Sequence, residues 1–170
     1  MFDERAELIE VYRGVPSVLR ALLRGLPDEA LRARGQGAGE EEWSVVEVVC
    51  HLRDAEERSL ARVRRMRDED RPALPGYDQA ELARTSNYRD QSVIRALERF
   101  ARLRAEHVAL LEALAPEDWE RCGEHEESGE ITVTQLTAHM ARHDAIHLAQ
   151  IARQILQHGA SSGLLAMPTV

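Results

Sequence analysis

Apolar residues recur at helical spacing through four long stretches of the chain. In the first, from about Asp3 to Arg24, the positions are Leu8, Ile9, Val11, Tyr12, Val15, Val18, Leu19, Leu22 and Leu23. Pro16 falls in the middle and predicts a kink or local break. Gly25 supplies a stop, and Leu26 to Leu31 reads as a short helical turn. After the polar, glycine-bearing loop Gly35 to Glu42, Ser44 and Glu47 have capping-box spacing and open a helix from about Val45 to Asp68. Its core stripe is Val45, Val48, Val49, Leu52, Ser59, Val63 and Met66. The third stretch, Gln91 to Leu114, is closed by Pro116, with Trp119 plugging one bundle end from the turn beyond. A second capping box, Thr132 with Gln135, starts a fourth helix that runs to about His158, before Gly159. Its stripe is Val133, Leu136, Met140, Leu148, Ile151 and Ile155.

Between these stretches lie a long connection, Arg71 to Asn87, predicted to cross the bundle, and a polar segment, Arg121 to Glu130, that reads as irregular. There is no internal repeat, heptad register or low-complexity tract. The pattern predicts an all-α, four-helix bundle as a single domain over residues 1–160, with a tail, 161–170, that stays loose unless it docks on a partner.

Composition narrows the class. A chain of 170 residues can bury a full core as one domain. The net charge of −8 argues against a sequence-independent grip on nucleic acid. All basic residues are arginine, and the local crowd of Arg58, Arg62, Arg64, Arg65 and Arg67 is interleaved with acids, which reads as a solvated, salt-bridged face. No apolar run approaches a membrane span and the N-terminus lacks a signal-peptide layout, so a cytoplasmic protein is expected. Cys50 and Cys122 provide no disulfide framework.

The chemistry concentrates in histidines. His143 and His147 are four apart and can present two imidazoles to one ion from a single helix. His51, on the flank of the second helix with the small Ala55 and Ser59 beyond it, could supply a third ligand if that helix packs beside the fourth. Three neutral nitrogens with open coordination positions suit a reactive metal site better than a structural one. A lone helical histidine is more often a surface or hydrogen-bonded residue, and the reading rests on the spacing. His139 extends the ladder but drifts around the helix, which places it outside the ligand set or at the surface. Glu47, one turn before His51, could approach the ion, although its capping role explains it equally well. Cys50 reads as a buried, inert thiol. Cys122 and His125 have no second pair beside them to complete a zinc site. Asp144 falls inside the apolar stripe and must be partnered there, by an arginine, a tyrosine hydroxyl or the far nitrogen of a ligand histidine. No phosphate loop, dinucleotide fingerprint or nucleophile elbow is present.

Trp43-Ser-x-x-Glu47-x-x-x-His51-Leu-x-Asp54-x-Glu56, then Gly129-Glu-Ile-Thr132 and His143-Asp144-x-x-His147-Leu-x-Gln150-Ile, resemble the DinB-like superfamily. Pro72-x-x-Pro75-Gly-Tyr-Asp resembles one branch of it. The resemblance implies a bundle of up-down-down-up topology with a long crossover between helices 2 and 3, often a homodimer, in which His51, His143 and His147 bind a divalent metal. Its activities include thiol S-transfer with bacillithiol or mycothiol, a mycothiol-dependent maleylpyruvate isomerisation, and reactions provisionally described as metal-dependent hydrolysis. The leading expectation is a transferase that activates a low-molecular-weight thiol cosubstrate for attack on a small electrophile, with Gln150 and Asp144 orienting the ligands. The alternatives are hydrolysis of a small molecule, with Glu47 as the nearby carboxylate base, and a non-catalytic, stress-associated metal-binding bundle. Zinc or nickel is the expected ion, with iron or manganese admissible.

Overall fold

A computed structural model describes residues 4–35 and 39–161. Four long helices form where the apolar stripes predict them: α1 (Glu4–Leu23), α3 (Val45–Asp68), α5 (Val93–Ala113) and α6 (Val133–Ser161), with a short α2 (Asp28–Arg32) after the first. Local chemistry sets their ends. Ser44 and Glu47 make the reciprocal capping box at the start of α3. The Thr132 and Gln135 side chains exchange hydrogen bonds of 3.0 and 3.1 Å with each other's backbone N–H at the start of α6. Gly25, with φ of +75°, takes the left-handed conformation that terminates α1.

Two expected interruptions do not occur. α6 continues past Gly159 to Ser161, and residues 162–170, most of the expected loose tail, lie outside the described residues. α1 runs unbroken through Pro16. Proline has no N–H to give the carbonyl four residues back. Here that oxygen, of Tyr12, accepts from Nη1 of Arg104 at 3.1 Å. A side chain from α5 replaces the missing helical bond.

Paired side chains define how the helices run. Arg53 reaches Gln91, Glu57 meets Arg99 and Arg64 meets Glu106, so residue numbers climb together and α3 and α5 point the same way. Between α3 and α6 the order reverses, with Trp43 against Gln154 and His51 against His143. It also reverses along α1, where Arg13 meets Glu112 of α5 and Arg5 meets Glu120 just beyond that helix. Parallel neighbours cannot be joined by a tight turn, which is why a long crossover separates α3 from α5.

That crossover is more ordered than its sequence suggests. It contains β1 (Ala73–Leu74) and α4 (Gln79–Thr85, capped by Asp78). The supposedly irregular Arg121–Glu130 segment folds into β2 (Cys122–His125), paired antiparallel with β3 (Gly129–Thr132) and parallel with β1. Strands of two and four residues are too short to show a period of two, so they escape pattern reading. Gly123 permits the close approach of β1: a Cβ there would lie 2.6 Å from Leu74 Cδ1 and 3.2 Å from the Pro72 carbonyl oxygen. The expected bundle therefore carries a small three-stranded sheet beside its helices.

The apolar core divides in two. Val45, Val49, Leu52, Phe100 and Ile151 belong to one cluster, and Leu60, Val63, Leu103, Trp119 and Met140 to the other. Where the clusters meet along α3, α5 and α6, the buried side chains are polar: His51, Glu56, Arg104, His107, Asp144 and His147. Trp119, from the turn after α5, is buried in the second cluster.

Candidate metal centre

α3 and α6 pack against each other, and this brings the three histidines together. Their donor atoms all lie within 4.8 Å of one another. Nε2 of His51 and Nε2 of His143 are 2.8 Å apart, and the His147 ring centre lies 4.8 Å from that of His51 and 4.5 Å from that of His143. Metal–imidazole bonds of ~2.0–2.1 Å meeting at about 90–110° hold two nitrogens ~2.8–3.4 Å apart. The observed 2.8 Å lies at the short end of that spacing.

Burial prepares the set chemically. His51 is 1 % exposed, and burial, with the neighbouring His147 and His143, pushes its pKa down to about 2. His147 is lowered to about 4, by burial first and His143 second, against the opposing hydrogen bond from Gln150. Both rings are therefore neutral near pH 7, the form that binds metal. Nδ1–H of His147 donates to Oε1 of Gln150 at 2.8 Å, which fixes the tautomer and leaves Nε2 with a free lone pair. The Trp43 ring packs 5.2 Å from that of His51.

Of the three residues expected to support the ligands, Gln150 alone contacts one. Glu47 is committed to the cap: its Oε2 accepts from both N–H and Oγ of Ser44 at 2.8 Å. Asp144 is buried and partnered, as its place in the stripe requires, and the partner is Arg104, at 2.8 Å. Its other oxygen stands 3.9 Å from Nδ1 of His143, beyond hydrogen-bonding reach. Cys50 is buried with its pKa raised to about 11 by burial, so it stays a thiol. Cys122 and His125 sit at opposite ends of β2, and among the described residues only the three histidines form a cluster fit for an ion.

Behind the site lies a polar hub that the sequence reading did not assemble. Arg104, 1 % exposed, donates through Nη2 to Glu56 and Asp144, each at 2.8 Å, and its guanidinium lies 4.1 Å from the Tyr12 ring centre. Nδ1–H of His107 donates to the second oxygen of Glu56 at 2.9 Å. Burial alone would raise the Glu56 pKa, but the charge of Arg104 and the hydrogen bond from His107 overcome it and hold the carboxyl down at about 2. The available signal was the pair of acids, Glu56 and Asp144, each four residues from apolar stripe positions. Charges buried in this way must be paired and hydrogen-bonded.

One wall of the site is open. His143, whose side chain is 17 % exposed, borders a cavity of about 250 Å³ that His139, Arg58, Arg62 and Tyr77 also line. His139 is exposed and its ring centre lies 6.4 Å from that of His143, outside the converging set, as the drift of the ladder predicts.

The sequence profile of the DinB superfamily matches residues 12–151, a span holding all three histidines and the Arg104 hub. The chain belongs to the DinB superfamily. A Geobacillus kaustophilus relative, provisionally named a metal-dependent hydrolase, is 34% identical over 150 residues, covering 88% of this chain and 83% of its own length. A Geobacillus thermodenitrificans relative of the same provisional name is 32% identical over 151 residues, with the same coverage. The structure of YfiT from Bacillus subtilis, described as a probable metal-dependent hydrolase with an unusual four-helix bundle topology, matches with a TM-score of 0.84 over 94% of this chain and 90% of that one. At 23% identity that likeness establishes the four-helix bundle of this DinB protein.

Proposed function

We propose that this DinB protein is a divalent-metal-dependent hydrolase of a small molecule, its ion held by His51, His143 and His147. The observation that carries the reading is the convergence of three histidine donors within 4.8 Å at the wall of a cavity sized for a small molecule. The provisional names of the Geobacillus relatives support the same class. A bound divalent ion supplies Lewis acidity, which brings the proton of an oxygen or sulfur nucleophile within reach of neutral pH.

The protein's own groups do the rest. Gln150 holds the His147 ring in one tautomer. His139, whose pKa is lowered by partial desolvation at the cavity wall and then by His143 and Arg142, is a neutral imidazole there and accepts the proton given up by the nucleophile. The apolar surroundings of His51 and Trp43 keep bulk water from the rear of the site.

Thiol S-transfer is the second reading. It is favoured by one observation: Glu47, the carboxylate expected to act as the base for hydrolysis, is locked in the helix cap and cannot serve as a base for water. A thiol needs less help to ionise. In both readings zinc or nickel is the expected ion, and the protein is expected to act as a cytoplasmic homodimer with a small-molecule substrate.

The deciding experiment is metal analysis of protein purified without an affinity tag, followed by two assay panels. One measures ester and amide hydrolysis with no thiol, the other adduct formation with bacillithiol, mycothiol and glutathione. Metal-dependent turnover without thiol is the expected result. Turnover only with a thiol selects the transferase, and a metal-loaded protein inert in both panels points to a non-catalytic bundle.

A further inference from the structure

Of the five arginines crowded along the second half of α3, three behave as a solvated face should. Arg64 pairs with Glu106, Arg65 with Glu69 and Arg67 with Asp68. Arg58 and Arg62 do not. Four residues apart, they share one helix face, and that face lines the cavity beside His143. Arg58 is stacked on Tyr77, its guanidinium carbon 4.1 Å from the ring centre, and its buried Nε has no hydrogen-bond partner among the described residues. Arg62 donates to a neutral acceptor, the Pro75 carbonyl oxygen, at 2.6 Å. Neither forms an ion pair among the described residues. Burial, the largest influence, and the neighbouring Arg58 make it harder for Arg62 to keep its charge, against the opposing pull of Tyr77 and Glu127. The acid that lines the same cavity, Glu127, is exposed.

Two half-buried guanidinium groups face one space with no carboxylate at ion-pair distance among the described residues, only the exposed Glu127 at longer range, and are held at a cost that an anionic ligand would recover. Arginine forks also match the oxygens of a carboxylate or phosphate, and stacking on Tyr77 keeps one fork oriented.

We propose that this cavity is the subsite for an oxyanion group of the substrate, a carboxylate or phosphate gripped by Arg58 and Arg62, with the reacting part of the molecule extending to His143. The word substrate rests on the metal-enzyme reading above; the anion site itself does not. The substrate class is thereby narrowed to small molecules that carry a fixed negative charge.

The test is calorimetric titration of the full-length protein, as purified and after chelator dialysis, with succinate, inorganic phosphate and neutral succinamide, at low and high salt. At least one anion is expected to bind both samples, more weakly at high salt, while succinamide does not. Arg58→Gln and Arg62→Gln should each weaken that binding by about tenfold or more, the loss of a charge-assisted hydrogen bond, with circular dichroism unchanged. Arg64→Gln should leave it as it was. Should Arg62→Gln unfold, Arg58→Gln decides alone, because its Nε has no hydrogen bond to lose. The proposal is overturned if no anion binds, if anions bind only the metal-loaded sample, if succinamide binds equally, or if the cavity variants bind like wild type. Metal content measured on the same samples separates the two readings. Anion binding by a protein that never takes up metal would sink the enzyme and keep the anion site.

Discussion

Arg104 donates to the carbonyl oxygen of Tyr12, the one acceptor in α1 that Pro16 leaves without a helical partner. The same guanidinium pairs with Glu56 on α3 and Asp144 on α6, the neighbour of His143. One buried side chain thus repairs the first helix and ties together the two helices that carry the histidines.

Removing that side chain should be costly. Arg104→Met leaves the buried Asp144 carboxylate and a backbone carbonyl unpaired and Glu56 with His107 alone, for which a loss of ~3–5 kcal/mol is expected in urea unfolding. Pro16→Ala restores an N–H for the Tyr12 oxygen, so the Arg104→Met loss should shrink by ~0.5–1.5 kcal/mol in the Pro16→Ala background. Strict additivity in the double-mutant cycle would show that the Arg104–Tyr12 bond contributes nothing.

Acid sensitivity should come in two stages. In the metal-free protein the His51 and His147 pKa values, about 2 and about 4, lie below the ordinary 6.5. The unfolded chain therefore takes up protons first, and stability falls as pH drops below ~6.5. Glu56, held at about 2 against an ordinary 4.5, adds a second loss as pH falls from ~4.5 towards 2. Urea midpoints measured across this range should show both limbs, and Glu56→Gln should flatten only the lower one.

His51→Ala, His143→Ala and His147→Ala should each abolish tight metal binding while leaving the helical spectrum intact, because the apolar clusters suffice for folding. His139→Ala should keep the metal and lose turnover. Metal content, circular dichroism and rates on the four variants check this together. Unfolding of the triad variants would make the ion a structural one.

Gln150→Leu should weaken metal affinity by ~10–100-fold, since Nδ1 of His147 loses the acceptor that sets its tautomer. Gln150→Glu, which keeps an acceptor oxygen, should recover most of it. Competition with a chelator gives both numbers, and equal affinity in wild type and Gln150→Leu would remove Gln150 from the site.

What the chain determines by itself is what depends on neighbours in sequence. The span of α3, its Ser44–Glu47 cap, the Thr132–Gln135 cap and the shared face of His143 and His147 follow from a 3.6-residue period and from hydrogen bonds reaching three residues along the chain. The demand that Asp144 find a partner was legible too, because burial of a charge is written into its place in the stripe. Tertiary packing decided the rest. It put His51 against His143 across 92 positions, chose Arg104 for Asp144, and sent Arg58 and Arg62 into the cavity while Arg64, Arg65 and Arg67 met acids at the surface. It also registered β1 on β2 through a close approach that only Gly123 allows, and bridged the gap left by Pro16. These contacts join residues whose separation along the chain carries no local signal. Their geometry exists only once the helices have chosen which faces to bury.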